Sequence, residues 1–256
     1  MKTFCFTVDD NVRFLKEIEQ EELLSIFSHP YLAMYKRLHE TFGLKVQLNL
    51  FYRMEGFELS QASSRYVSEF EENSDWLKLS FHSDLENVRP YEFSGYDEVF
   101  ADCKKVNGEI LRFAGASSLA KTTTVHYCRT TDEGLKALKD NGYVGLLGLF
   151  GDSEHPRTSY GLEEGIASQI RDGAIVKKDG VDFAAIDVIL NRFSKEEIIS
   201  QLDGLKERAC LKVMIHEQYF YPDYKSYQPD FEKKLHATFS FLAELGYESK
   251  FFEELL

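Results

Sequence analysis

No run in this 256-residue chain approaches the length of a membrane-spanning helix, so no membrane partner is expected. A secretory leader is not expected either: only a few apolar residues separate Lys2 from Asp9 and Asp10, too few for a signal-peptide core. Cysteine is sparse. Cys5, Cys103, Cys128 and Cys210 include no Cys-x-x-Cys pair, which argues against a zinc ribbon or a disulfide framework. These absences together make the cytoplasm the expected compartment. An excess of basic residues is also lacking. The net charge of -13 and a pI near 5.1 argue against nucleic acid, whose phosphates call for a basic face, and against anionic membrane surfaces. Nor is there a linker, an internal repeat of residues or a disordered composition, so residues 1–256 read as one domain.

What is present is a large apolar inventory, 43% of the chain with 21 Phe and 14 Tyr, ample for one extensive core. The organising stretch is Phe4-Cys5-Phe6-Thr7-Val8-Asp9-Asp10-Asn11. Phe4, Phe6 and Val8 alternate with Cys5 and Thr7 at strand period, and aromatic and β-branched residues suit a buried pleat. The strand stops on two adjacent carboxylates, a costly pairing unless a cation, a proton or solvent accommodates it. Because successive strand side chains point to opposite sides, one carboxylate would face a metal and the other a substrate. The alternative for the pair taken alone is a solvated loop that caps the following helix.

Beyond it, strands and helices alternate. Helical patterns are expected over 12–20, 31–42, 61–72, 95–113, 131–141, 194–205 and 230–246. Strands are expected at Lys45–Tyr52, Leu77–Phe81, Thr122–Cys128, Tyr143–Phe150, Phe183–Leu190 and Cys210–Ile215. Gly43 and Gly142 read as helix stops, and Thr131 and Ser194 as caps. Residues 153–182 break the rhythm and read as an insertion, a lid over the site end. Strand then helix, repeated about seven times, is the pattern of an α/β barrel.

Several of these strands deliver polar residues at their ends. A barrel gathers strand ends on one rim, so Asp9, Asp10, His82, His126 and His216 are expected to converge. His82 and Glu86 are four apart, which on a helical turn puts both on one face within reach of one metal. A histidine with carboxylates suits zinc or another divalent first-row ion. The alternative is that Asp84 and Glu86 merely cap the next segment. His216 is placed to give a proton to a leaving group, or else is an ordinary core histidine. Asp152 comes directly after the fifth strand. The aromatic loop Tyr219, Phe220, Tyr221, Tyr224 and Tyr227 reads as a sugar-stacking surface or as packing over the rim.

Three of these segments resemble the motifs of NodB-type polysaccharide deacetylases. Phe6-Thr7-Val8-Asp9-Asp10-Asn11 is similar to that family's Thr-Phe-Asp-Asp-Gly, His82-Ser83-Asp84-Leu85-Glu86 to its His-Ser/Thr-x-x-His, and Met214-Ile215-His216 to its late Leu-x-His. The order and spacing agree over most of the chain. The resemblance implies a distorted (β/α)7 barrel. It implies Asp9 as catalytic base and His216 as general acid, with Asp10, His82 and, in place of the motif's second histidine, Glu86 as ligands of a divalent metal, zinc foremost. It also implies an acylated carbohydrate as substrate; His126 and Asp152, by their strand-end positions, and Tyr219, from the aromatic loop, are expected to contact it. The chain differs from the family at Asn11 for Gly and at Glu86. The Arg-Pro-Pro-Tyr stretch is replaced by His126-Tyr127-Cys128-Arg129, and Asp152 lacks its following Trp. Two readings are open. One is a metal-dependent hydrolase that removes acyl groups from N- or O-acylated carbohydrate. The other is a barrel of the same shape that has lost this activity and binds a saccharide or acts on another bond. Metal content separates them.

Overall fold

The computed structural model describes residues 2–86, 91–151 and 158–256. Along the chain, β1 (Lys2–Asn11) leads through α1 (Arg13–Gln20) and α2 (Pro30–Phe42) to β2 (Val46–Met54) and the short β3 (Phe57–Glu58). Then come α3 (Val67–Glu72), β4 (Leu77–Leu85), α4 (Tyr96–Ala114) and β5 (Thr122–Thr123). Next are α5 (Asp132–Asp140), β6 (Gly145–Gly148), α6 (Glu164–Arg171), β7 (Val176–Lys178), β8 (Val181–Ala185) and β9 (Val188–Ile189). The last are α7 (Lys195–Gly204), β10 (Cys210–His216), α8 (Phe231–Glu244) and β11 (Tyr247–Ser249).

The strands form two sheets. One runs β3-β2-β1-β10-β9, with β4 also on β2 and β11 also on β1; the other runs β5-β6-β8-β7. Within them the β1–β10, β1–β2, β2–β4, β5–β6 and β6–β8 pairs are all parallel. The sheets are not hydrogen-bonded into a closed ring among the described residues, yet they wrap one interior. Cys5, Ile189 and Met214 of the first sheet pack with Leu147 and Ala184 of the second and with Phe252. On the outer face of β1, the Phe4 and Phe6 rings lie 5.7 and 5.0 Å from that of Phe239 on α8. The alternation read in β1 thus sorts its side chains between two cores, one inside the barrel and one beneath the helices.

Helix ends obey local chemistry. Gly43 closes α2 in the left-handed region (φ 65°), Thr131 Oγ1 accepts from Gly134 N, and Ser194 forms a capping box with Glu197. α1 is capped from a distance. Its Val12, Arg13 and Phe14 N–H groups all donate to the Glu217 carboxylate at 2.8 to 3.0 Å, so neither Asp9 nor Asp10 serves as its cap.

Several segments differ from the sequence expectation: the strand read over Phe183–Leu190 divides into β8 and β9, which belong to different sheets, and the helix read over 61–72 is an α-helix only at Val67–Glu72. The strand read over Thr122–Cys128 is regular only at Thr122–Thr123, because His126–Cys128 turns with Tyr127 and Cys128 in the left-handed region (φ 61° and 56°). The strand read over Tyr143–Phe150 shortens to Gly145–Gly148. A Cβ at Gly145 would come within 3.0 Å of Leu256, Phe252 and Thr122, so this strand needs glycine where neighbours crowd it. The break at 153–182 supplies a crossover: α6 packs on β8, β7 forms an antiparallel hairpin with β8, and none of its described residues lines the cavity at the strand ends. A connection between the parallel strands β6 and β8 must cross the sheet, and a helix is the usual way to do so. Among its described residues, Ser159 and Tyr160 reach the strand-end rim, through hydrogen bonds with Leu149, Leu147 and Val125.

Candidate metal and catalytic site

The carboxyl ends of β1, β4 and β10 open on a cavity of about 390 Å³. Asp9, Asp10, His82, Glu86, His126, His216 and Tyr219 all line it, so seven of the eight residues singled out in the sequence share one pocket. Asp152 lies outside the described residues.

Two strand irregularities aim the central side chains. In the β1–β2 pairing, Val8 faces Leu48 and Asn11 faces Leu50, so β1 carries one extra residue between them. In the β2–β4 pairing, Leu50 faces Phe81 and Phe51 faces Ser83, which leaves His82 as the extra residue. A bulge turns a side chain away from strict alternation. Asp10 is in the left-handed region at φ 63°, a conformation aspartate tolerates better than most residues. For this reason Asp9 and Asp10 do not diverge to opposite faces, as plain strand geometry predicts, but enter the same cavity.

Asp10 Oδ1 lies 3.1 Å from His82 Nε2 and 3.4 Å from His126 Nδ1, and the two ring nitrogens are 3.1 Å apart. A first-row ion bound at about 2.1 Å spaces adjacent ligand atoms by about 3.0 Å in octahedral and 3.4 Å in tetrahedral geometry. Three candidate ligand atoms at those separations fit such an ion. His82 Nδ1 donates to the Thr124 carbonyl, which orients the ring and leaves Nε2 facing Asp10, where it would bind an ion once deprotonated. Gln218 Nε2 donates to Asp10 Oδ2 at 2.7 Å and orients that carboxylate from behind. Burial pushes the Asp10 carboxyl up, but hydrogen bonds from His126 and His82 outweigh it and hold the group well below the usual range. Burial lowers His126, whereas for His82 the neighbouring carboxylates overcome burial and raise it.

Glu86 is not part of this group. The helical spacing assumed for His82 and Glu86 is replaced by strand: β4 continues through Leu85, and four residues of strand span about 13 Å rather than the 6 Å of a helical turn. His126 takes the third position instead. It arrives from the left-handed turn after β5, and the Tyr127 ring packs 4.1 Å from its own. His126 Nε2 and Gln218 Oε1 are buried with no hydrogen-bond partner among the described residues.

Asp9 is 2% exposed and its Oδ1 accepts from Asn49 Nδ2 at 2.7 Å. Asn49 is held by Gln47 Nε2 at 2.8 Å, which also donates to the Thr122 carbonyl. Burial raises the Asp9 carboxyl above its usual range against the opposing pull of His82 and His216. His216 faces Asp9 across the β1–β10 register, and its Nδ1 meets the acceptor Asn191 Oδ1 at 2.9 Å, so Nδ1 carries the proton. Sequence reasoning did not single out Asn49, Gln218, Asn191 or Glu217. For Asn49 a signal existed in the alternation of Gln47 and Asn49 with Val46, Leu48 and Leu50: both polar residues are buried, facing the barrel interior. The other three lie on turns, where no periodicity marks them.

No family model matches the sequence, and neither does any curated protein. Solved structures do match. A family 4 acetyl xylan esterase from Clostridium thermocellum, in complex with a cobalt ion, aligns with TM-score 0.55 at 12% identity over 99% of this chain and 90% of that one. A peptidoglycan N-acetylglucosamine deacetylase aligns with TM-score 0.55 at 11% identity over 99% and 87%. A 4-alpha-glucanotransferase from Thermococcus litoralis reaches TM-score 0.63 at 13% identity, with 99% of this chain on 40% of that one. The chain therefore has the distorted β/α-barrel fold of the NodB-like polysaccharide deacetylases, in a sequence far diverged from those structures.

Proposed function

We propose that this protein is a metal-dependent hydrolase that removes acyl groups, acetyl first among them, from an N- or O-acylated carbohydrate. The observation that carries the reading is the convergence of Asp10 Oδ1, His82 Nε2 and His126 Nδ1 at metal-ligand spacing, in the cavity that Asp9 and His216 also line. The folds of the acetyl xylan esterase and the deacetylase add support.

Asp10, His82 and His126 would hold the ion. A divalent cation there polarises an acyl carbonyl and lowers the pKa of water. Asp9 acts as general base: Asn49 occupies its Oδ1, which leaves Oδ2 to take a proton from the attacking water, and burial moves its pKa toward the working range of a base. His216 acts as general acid. With Nδ1 bound to Asn191, its Nε2 delivers a proton to the departing amine or alkoxide. Tyr219, whose ring lies 6.2 Å from that of His216, packs against the sugar. Zinc suits one carboxylate and two imidazoles.

The test is acetate release from N-acetylated and O-acetylated oligosaccharides by protein stripped of metal and reloaded with zinc or cobalt, alongside metal analysis of the purified chain. Metal-dependent release supports the reading. A chain that binds no divalent ion at these residues leaves the other reading, a barrel that binds a saccharide or acts on another bond.

A further inference from the structure

Every other arginine among the described residues makes an ion pair with a carboxylate. Arg192 makes none with them, and its side chain has no hydrogen bond or ring contact among them either. It is nevertheless in the wall of the catalytic cavity, the one lysine or arginine among the described residues there, on the turn after β9. That turn is pinned from two sides: Asn191 Oδ1 faces His216 Nδ1 at 2.9 Å, and the Asn191 carbonyl accepts from Gln228 Nε2 at 2.8 Å. The guanidinium thus projects from a fixed backbone on the same side of the cavity as His216, while its own side chain is exposed.

The cavity carboxylates are engaged elsewhere. Asp9 accepts from Asn49, Asp10 accepts from Gln218 and faces the histidines, and none of Asp9, Asp10 and Glu86 makes an ion pair with Arg192. A guanidinium is always charged, and its planar fork fits carboxylate and phosphate oxygens in pairs. The chain as a whole carries a charge of -13, which opposes an anionic ligand at a distance, so local capture of an anion needs an uncommitted cation in the wall. We infer that Arg192 is a specificity-determining residue that receives an anionic substituent, phosphate or carboxylate, on the leaving-group side of the carbohydrate. The inference rests on the hydrolase reading for the identity of the ligand as a carbohydrate.

The test compares N-acetylglucosamine, N-acetylglucosamine 6-phosphate and N-acetylmuramic acid as probes of the zinc-loaded protein, by calorimetry and by acetate release, in wild type and Arg192→Gln. One of the two charged probes should bind about tenfold tighter than the neutral one, as befits a charge-assisted pair, and Arg192→Gln should erase that preference. Which charged probe is favoured separates phosphate from carboxylate. Binding of neither, equal binding of all three, or a preference that survives in Arg192→Gln overturns the inference. Charge-dependent binding through Arg192 with no acetate released would sink the hydrolase reading and leave the anion site standing. Equal deacetylation of all three probes would do the reverse.

Discussion

The two sheets contribute to the site by different means. The first supplies Asp9, Asp10, His82 and His216 from strands of seven to ten residues. The second, built on strands of two to five residues, supplies His126 from a turn beyond a two-residue strand. A long strand advertises itself by alternation, and topology alone then places the residue at its end. A short strand flanked by irregular backbone has no period to read. That difference teaches where a sequence can be trusted to build a site. It locates candidate ligands that end regular strands and misplaces those that regular structure does not carry.

Asp9, Asp10, His82 and His216 were each legible as polar ends of apolar runs, and the structure brings all four into one cavity. The two bulges were not legible, because pairing register between distant strands leaves no local trace. Without them, Asp9 and Asp10 should diverge and His82 should alternate with its neighbours. The same blindness assigned the third ligand position to Glu86. Spacing of four is meaningful only once helix or strand is known, and β4 runs on to Leu85 rather than ending with its apolar residues at Phe81. The barrel as a whole was readable, since alternating strands and helices depend on composition over many residues rather than on any single backbone angle.

The comparison is sharpened most by removing the base. Asp9→Asn should lower turnover by about 10²- to 10⁴-fold while the protein retains its metal, because Asp9 is outside the ligand group. Acetate release and metal analysis on the same preparation check it. Loss of metal together with activity would place Asp9 among the ligands instead.

Next comes the contrast between the two sheets at the metal itself. His126→Ala should weaken zinc binding by at least about 100-fold, more than the loss of an orienting neighbour, whereas Glu86→Ala should change it less than about threefold. Competition against a chromophoric chelator measures both. Equal losses in the two variants would mean that Glu86 moves onto the ion, and the reading taken from the sequence would be restored.

The first sheet's rim carries its own pH dependence. Glu217 is fully buried at the start of α1, and burial raises its carboxyl to about 7 despite the backbone donors around it. An unfolded glutamate titrates near 4.3, so between those values the folded chain holds a proton that the unfolded chain has released. The stabilisation from this group is therefore present below about pH 4.3 and is lost as pH rises through about 7, by up to roughly 4 kcal/mol. Urea unfolding of metal-free protein at pH 5 and pH 8 should show this loss in wild type and a smaller one in Glu217→Gln. An identical pH dependence in both would take the effect away from Glu217.

The smallest expected effect tests why the second sheet needs its turn. Asp10 and Tyr127 both occupy the left-handed region, at φ 63° and 61°. Aspartate accepts that conformation at little cost, whereas for tyrosine it costs about 1 kcal/mol or more. Tyr127 is 42% exposed and its ring lies 4.1 Å from that of His126, so it packs against that histidine from the solvent side. Tyr127→Gly relieves the backbone and removes the ring that confines the histidine, at the expense of extra chain entropy when unfolded. The metal-free protein should gain about 0.5 kcal/mol in stability on that balance. Zinc affinity should fall several-fold, because His126 must now be ordered by the ion rather than before it arrives. Denaturant unfolding and calorimetry of the same variant give the two numbers, and only their opposite signs support a strained turn that holds His126 ready. If stability and affinity fall together, the ring is ordinary packing and the left-handed backbone stores nothing of use to the site.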